Sequence, residues 1–285
     1  MVLGEGAFPC VGDCAIGKLG KRFARKQGVM RVDLAGKRAI ITGASQGIGR
    51  GIFEVFAQLG VRCVTAARRK YILEEHAKYV ISTGGVAPVP IEVDLFHAGA
   101  AAYLFEQAEN ALGGVDILVN AAGRSKAPDA PRQTSFNHSS ELWEKELHLN
   151  YVVLRELTFA VLPSMQERRF GRIINVTGKS EPEKLSTANP PKAAVHAWAK
   201  GLSRLIARDG VTINQISPGK IVSEQILANY SAQELDAYSK NDIPLGRLGT
   251  SEELGYLAAF LASPHAGYIT GAVIPLDGGM KRYAF

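Results

Sequence analysis

Residues 34–285 predict a doubly wound α/β domain, a single seven-stranded parallel sheet with helices on both faces. Three observations carry this. From residue 38 onward, short β-branched runs alternate with longer helical stretches, which is the pattern of repeated βαβ units with buried strands. The first run breaks into AIITGASQGIG at residues 39–49, a strand, a glycine turn and a helix start in succession. The chain has 285 residues, 46% of them hydrophobic, enough for one sizeable core, and no internal repeat or low-complexity segment interrupts it.

The elements follow in order. RAIIT at 38–42 is the first strand, and the helix at 48–58 starts directly from the glycine turn. A strand at 61–66 and a helix at 71–82 repeat the unit, as do a strand at 86–93 and a helix at 99–112. The strand DILVN at 116–120 precedes one long helix at 141–167. RIINV at 172–176 then leads, across an irregular stretch, to a helix at 192–208, with Asn189-Pro190-Pro191 read as an N-cap followed by prolines in the first turn. The strand at 211–216, the helix at 251–261 and the strand at 273–276 complete the set. Residues 223–241 are polar, have no partner strand and follow Pro218-Gly219, so a mobile lid is expected there.

Residues 1–33 are expected to be a poorly ordered extension, dispensable to the fold, with Met30 just ahead of the folded sequence. No apolar run reaches membrane-spanning length and no signal-peptide pattern is present, so a cytoplasmic protein without membrane partners is expected. Cys10, Cys14 and Cys63 are too few and scattered for a disulfide framework, and no metal site is expected. The formal net charge is +6, but six bases and three acids within residues 1–34 supply half of the excess. The remainder is too weak for a polyanion footprint, so nucleic acid is not an expected partner.

On doubly wound sheets, ligands lie beyond the carboxyl ends of the strands, where the strand order reverses. The residues that carry function are therefore those leaving each strand: 43–49, 67–70, Asp94-Leu95, 120–123, 177–180 and 217–223. In the first group the unpaired amides of a glycine turn and the positive end of a helix dipole converge, which suits a phosphate group.

This set resembles the short-chain dehydrogenase/reductase family, in its classical subfamily. TGASQGIG (42–49), VDL (93–95), NAAG (120–123), Asn150, GRIINV (171–176), SPGKIVS (217–223), PLGRLGTSEEL (244–254) and YITGAVIPLDGG (268–279) occur in the family's order. The resemblance implies a Rossmann fold, a nicotinamide dinucleotide and a small-molecule substrate, with pairing into a homodimer or homotetramer. It places Gly43, Ser45, Gln46, Gly47, Ile48 and Gly49 at the pyrophosphate. Asp94 and Leu95 fall at the adenine, with Asn120, Ala121 and Gly123 along the adenosine ribose. Pro218, Gly219, Ile221 and Ser223 hold the nicotinamide carboxamide, and Lys192 stands at the nicotinamide ribose.

The choice of cofactor follows from charge. An acid about 20 residues beyond the glycines would hold the ribose hydroxyl of NAD, whereas Arg there accepts the 2′-phosphate of NADP. This chain reads Ala67-Arg68-Arg69-Lys70 with no acid before Glu74, so NADP is expected, held by Arg68 and Arg69.

The resemblance also exposes a departure. The family reduces carbonyls with Ser, Tyr and Lys, plus an Asn that holds a water. This chain keeps Asn150 and Lys192, but Ala188 stands four residues before Lys192 where Tyr belongs, and Gly178 stands where Ser belongs. The candidate catalytic residues are therefore Lys192, Asn150 and Ser180, with Thr177, Lys179, Ser186 and Thr187 on the same rim. His148 and His196 are left out as packing residues. The function expected is an NADP(H)-dependent oxidoreductase acting on a small carbonyl or alcohol through an atypical site. The alternatives are a cofactor-binding protein without turnover and a reductase of conjugated C=C bonds.

Overall fold

The computed structural model describes residues 32–123, 139–178 and 186–282. Residues 1–31, with Cys10 and Cys14, lie outside them, as do Lys179 and Ser180. The described residues build one α/β unit around seven parallel strands: β1 (Arg38–Thr42), β2 (Arg62–Ala67), β3 (Val89–Glu92), β4 (Ile117–Asn120), β5 (Gly171–Val176), β6 (Val211–Pro218) and β7 (Val273–Leu276). Their order across the sheet is β3-β2-β1-β4-β5-β6-β7. The order reverses between β1 and β4, and the crevice for a ligand opens at their carboxyl ends.

Alternate residues of each strand face opposite sides, and each side has its own core. Ile41, Ile117, Val119, Ile174 and Ile216 face one way, against Phe53 and Phe56 of α1 (Gly47–Gln58) and Leu254 and Ala258 of the last long helix. Ile40, Leu118, Ile173 and Ile213 face the other, against Leu104 of α3 (Ala100–Leu112) and helices from the second half of the chain. Fully burying a side chain of this size contributes about 1.5–3 kcal/mol, so the two apolar layers supply most of the drive to fold. Between them in sequence, α2 (Lys70–Ser82) buries only Leu73 and Val80. Leu34 is part of the first core, so packing already begins at the junction with the N-terminal segment.

The structure differs from the sequence expectation at four places. The strand expected over 86–93 shortens to β3, because Pro88 and Pro90 cannot donate to a ladder and so confine it to the sheet edge. The long helix expected at 141–167 is three pieces: α4 (Ser140–Leu147), a π-helical turn (His148–Val152) and α5 (Val153–Glu167). Helix α6 (Asn189–Ile206) starts earlier than expected; Ala188 is its N-cap and Asn189 its first residue, with the two prolines following in the first turn, where the missing N–H is harmless. The segment read as a lid forms two helices, α7 (Glu224–Asn229) and α8 (Ala232–Asp242), started by the Ser223 and Ser231 side chains. The last helix, α9 (Ser251–Ala262), begins with a capping box between Thr250 and Glu253.

Candidate active site

The glycine turn is built by close chain packing. Gly43 has φ +68°, and a Cβ there would stand 2.9 Å from Ala121 O and from the Ala122 main chain. A Cβ on Gly49 would meet Gly43 O at 2.4 Å. These two glycines let the turn, the exit of β4 and the first turn of α1 collapse onto one another. Thr42 Oγ1 fixes that junction by accepting from the amides of Ala121 and Ala122 at 3.1 and 3.0 Å.

The first turn of α1 holds no acidic residue of its own, and Gln46 at its N-cap makes no side-chain cap bond. An acid from far along the chain takes that place. Gly47 N donates to Glu224 Oε2 at 2.9 Å, and Arg50 Nη1 lies 3.4 Å from Glu224 Oε1. A helix N-terminus attracts an anion, and here the carboxylate at the head of α7 supplies one. Ser223 Oγ accepts from Ile226 N and so starts that helix.

Past β2, Arg68 is exposed and forms no ion pair among the described residues, while Arg69 Nη2 donates to Gln46 Oε1 at 2.6 Å. Lys70 lies 3.9 Å from Glu74. His76 Nε2 donates to Ser45 O at 3.1 Å, tying α2 to the same turn. The Arg69 guanidinium, Ser45 and Gln46 thus gather beside the glycine turn, and Ile48 follows in the first turn of α1, half-buried.

The other cofactor candidates stand at or just past the ends of β3, β4 and β6. Asp94 Oδ1 accepts from Phe96 N at 3.0 Å, capping its own strand end. Leu95 is buried, and its carbonyl accepts from His148 Nε2 at 3.0 Å. Asn120 is 3% exposed and donates through Nδ2 to Asn175 Oδ1 across the sheet, while its Oδ1 has no partner among the described residues. Ile221 is 4% exposed and packs in the core, held by a bridge to Gly249, and it has only main-chain atoms to offer a ligand. Pro218 ends β6, and Gly219 turns so closely past Asp277 that a Cβ would stand 2.7 Å from its Cα.

Two of the catalytic candidates, Asn150 and Lys192, stand at the exits of β4 and β5, and Ser180 lies outside the described residues. Asn150 lies in the π-helical turn, a distortion frequent at functional sites. It is 4% exposed; Nδ2 donates to Glu146 O at 3.0 Å and to Glu146 Oε2 at 2.8 Å, and Oδ1 has no partner among the described residues. That oxygen faces Gly123, where a Cβ would approach it to 2.9 Å. Lys192, on the first turn of α6, is half-buried as a residue with its ammonium end enclosed. Desolvation brings its pKa down to about 8, against the raising field of Glu146. A Cβ on Gly178 would point at Lys192 Cδ, 3.2 Å away, so position 178 faces the lysine and offers it no hydroxyl. Ala188 is fully buried.

Among the rim alternatives, Thr177 is 3% exposed and spends its hydroxyl on Ile216 O at 3.3 Å, with His196 Nε2 2.8 Å from the same oxygen. His196 thus points at the strand end rather than outward, and burial lowers its pKa. Thr187 is buried, and Ser186 Oγ accepts from Ala188 N. Sequence reasoning passed over Glu146 and Glu224. The first had a readable signal, because a residue four before Asn150 shares its helix face; the second had none, since 177 positions separate Glu224 from Gly47.

A parallel sheet of this strand order, with a glycine turn where the order reverses, defines a Rossmann-type α/β protein. The chain belongs to the short-chain dehydrogenase/reductase family of oxidoreductases. The family model described as enoyl-(acyl carrier protein) reductase matches residues 43–281. The 3-oxoacyl-[acyl-carrier-protein] reductase FabG of Aquifex aeolicus (strain VF5) is 34% identical over 263 residues, 88% of this chain and 100% of its own. The crystal structure of a short-chain type dehydrogenase/reductase from Mycobacterium marinum is 31% identical with a TM-score of 0.79, over 88% of this chain and 98% of that one. L-sorbose reductase from Gluconobacter frateurii, crystallised with NADPH and L-sorbose, is 28% identical with a TM-score of 0.81, over 89% and 100% of the two chains. No described helix is long and apolar enough to cross a membrane, and no group of three or more described His, Cys, Asp or Glu side chains is arranged to hold a metal.

Proposed function

We propose that this chain is an NADP(H)-dependent oxidoreductase that transfers hydride between the nicotinamide and a small carbonyl or alcohol substrate through an atypical site. The observation that carries the reading is the pair Arg68 and Arg69 at the end of β2, exposed, with no acid beside them. A guanidinium matches a phosphate with paired, charge-assisted bonds, where a carboxylate would repel it. The NADPH bound in L-sorbose reductase supports the same choice.

The residues present fit that cofactor. The amide of Gly47 already holds an anion, the Glu224 carboxylate, and Asn150 offers a buried oxygen without a partner among the described residues. Arg68 and Arg69 would hold the 2′-phosphate. Gly43, Ser45, Gln46, Gly47, Ile48 and Gly49 would cradle the pyrophosphate. Asp94, Leu95, Asn120, Ala121 and Gly123 would line the adenosine, and Lys192, Pro218, Gly219, Ile221 and Ser223 would line the nicotinamide end. When bound, the cofactor supplies the hydride. Lys192 is left to supply the proton, because neither Gly178 nor Ala188 has a side chain that can donate, and Asn150 orients the water that links Lys192 to solvent. Ser180, outside the described residues, remains a candidate donor.

Incubation with NADPH and a panel of ketones, quinones and enoyl thioesters tests the reading. Cofactor oxidation with a ketone supports it. Oxidation with enoyl thioesters alone would make the chain a C=C reductase, in line with the family model's description, and tight NADPH binding with no oxidation would make it a silent cofactor binder. Pairing into a homodimer or homotetramer is part of the same proposal. Phe159 of α5 and Leu205 of α6 are exposed, and Trp198 packs edge-to-face with Phe159 and Tyr151, which leaves an aromatic face along the two helices.

Glu224 must leave the Gly47 amide before a diphosphate can sit there. A carboxylate at an exposed helix N-terminus contributes up to about 1 kcal/mol, so Glu224→Gln is expected to tighten NADPH binding about fivefold. Fluorescence titration of NADPH checks this, and unchanged or weaker binding refutes it.

A further inference from the structure

Glu146 is a carboxylate with no exposed surface, on the rim of a site that lacks its usual hydroxyls. It lies on α4, four residues before Asn150 and so on the same helix face, and Asn150 Nδ2 donates to both its side chain and its main chain. Helix α4 packs against α6, which carries Lys192, and among the described residues the field of Glu146 acts on the Lys192 ammonium. A carboxylate or an ammonium buried alone is strongly disfavoured, whereas the two buried together compensate one another.

We infer that Glu146 is a positioning residue that keeps Lys192 Nζ in its ammonium form and fixes the Asn150 amide, so that the proton consumed in the reduction stands on Lys192. The inference rests on the proposed hydride transfer. As hydride reaches the carbonyl carbon from the reduced nicotinamide, an N–H bond of Lys192 breaks and an O–H bond forms on the substrate oxygen. Lys192 is left as the neutral amine, and water returns its proton. Glu146 supplies the countercharge that draws that proton back.

Among the described residues, the other titratable groups facing this corner are engaged elsewhere. His196, one turn along α6, is bonded to Thr177 and feels the charge of Lys281, and His148 on the π-helical turn is bonded to Leu95 O. Tyr151 packs against Trp198.

The test is the titration of Lys192, followed by NMR at the Cε resonance in protein carrying isotope-labelled lysine and assigned by its loss in Lys192→Met. In Glu146→Gln the midpoint is expected to fall by about one pH unit, the size of effect a nearby opposite charge has. Glu146→Asp keeps the charge and should titrate as the wild type does. In turnover, the falling limb of the Glu146→Gln pH profile should move down by the same amount, a loss of about tenfold at pH 9 but only about twofold at pH 7, with the KM for NADPH unchanged. A Lys192 midpoint that stays put in Glu146→Gln overturns the inference. Should that variant fail to fold, Glu146→Met carries the same measurement with the same two outcomes. The titration needs no substrate, so a protein without turnover would sink the proposed reaction while the Glu146 result still stands or falls by itself.

Discussion

Lys192→Met is expected to lower turnover by about 10³-fold while leaving the KM for NADPH within a few-fold of the wild type. A positioned general acid is worth about 10² to 10⁴ in rate. Deletions within a catalytic group usually overlap, because the members act as one unit. Here the neighbouring positions are Gly178, which faces Lys192 without a hydroxyl, and Ala188, which is fully buried. With less to share its task, the lysine should show nearly the whole effect. The pH profile gives an independent check. Burial lowers the lysine from its ordinary 10.5 to about 8, and the donor is the protonated form. The rate constant should therefore hold steady below pH 8 and fall as pH rises through it, with the opposite limb in the oxidation direction, where the amine accepts the proton. Steady-state kinetics from pH 6 to 10 on folded protein decide it: wild-type turnover in Lys192→Met eliminates the lysine as proton donor.

The parts of the fold legible in the sequence are those set by local pattern. The strand at 38–42 falls where its apolar run placed it, because a buried parallel strand needs a continuous hydrophobic run and little else, and the short apolar run at 273–276 forms the strand expected there, at the sheet edge. What local pattern missed depends on contacts between distant segments. The π-helical turn at Asn150 lies inside a stretch whose periodicity reads as one helix, and the seat of Glu224 on Gly47 exists only once α7 reaches α1. Motifs also mark main chain more faithfully than side chain. Ile221 and Asn120 belong to recognisable motifs, yet their side chains serve the core and a cross-sheet amide pair. The converse holds at Gly178 and Ala188, where the expectation turns on a side chain the resemblance leads one to look for. An absence is visible only against a pattern brought from outside the chain, and composition and periodicity are silent on it.

The double variant Arg68→Ala/Arg69→Ala is expected to weaken NADPH binding about 100-fold and NADH binding less than threefold. Both coenzymes share the glycine turn, the adenosine and the nicotinamide, so removing the guanidinium groups should leave those contacts alone and affect only the 2′-phosphate. A hydrogen bond to a charged group is worth about 1.5–3 kcal/mol, and tenfold in affinity is about 1.4 kcal/mol, so one or two such bonds give a loss of this size. The two arginines should not contribute equally. Arg69 already donates to Gln46 Oε1 at 2.6 Å and must give up or share that bond to reach a phosphate, whereas Arg68 forms no ion pair among the described residues. Arg68→Ala alone should therefore account for most of the loss. Salt gives a second reading of the same contact: both groups are exposed, so raising ionic strength screens them and should narrow the gap between the coenzymes in the wild type but not in the double variant. Calorimetric dissociation constants for NADPH and NADH, at low and high salt, measure all of this at once. If the wild type binds NADH as tightly as NADPH, the basic turn after β2 is a solvated surface and the phosphate assignment fails.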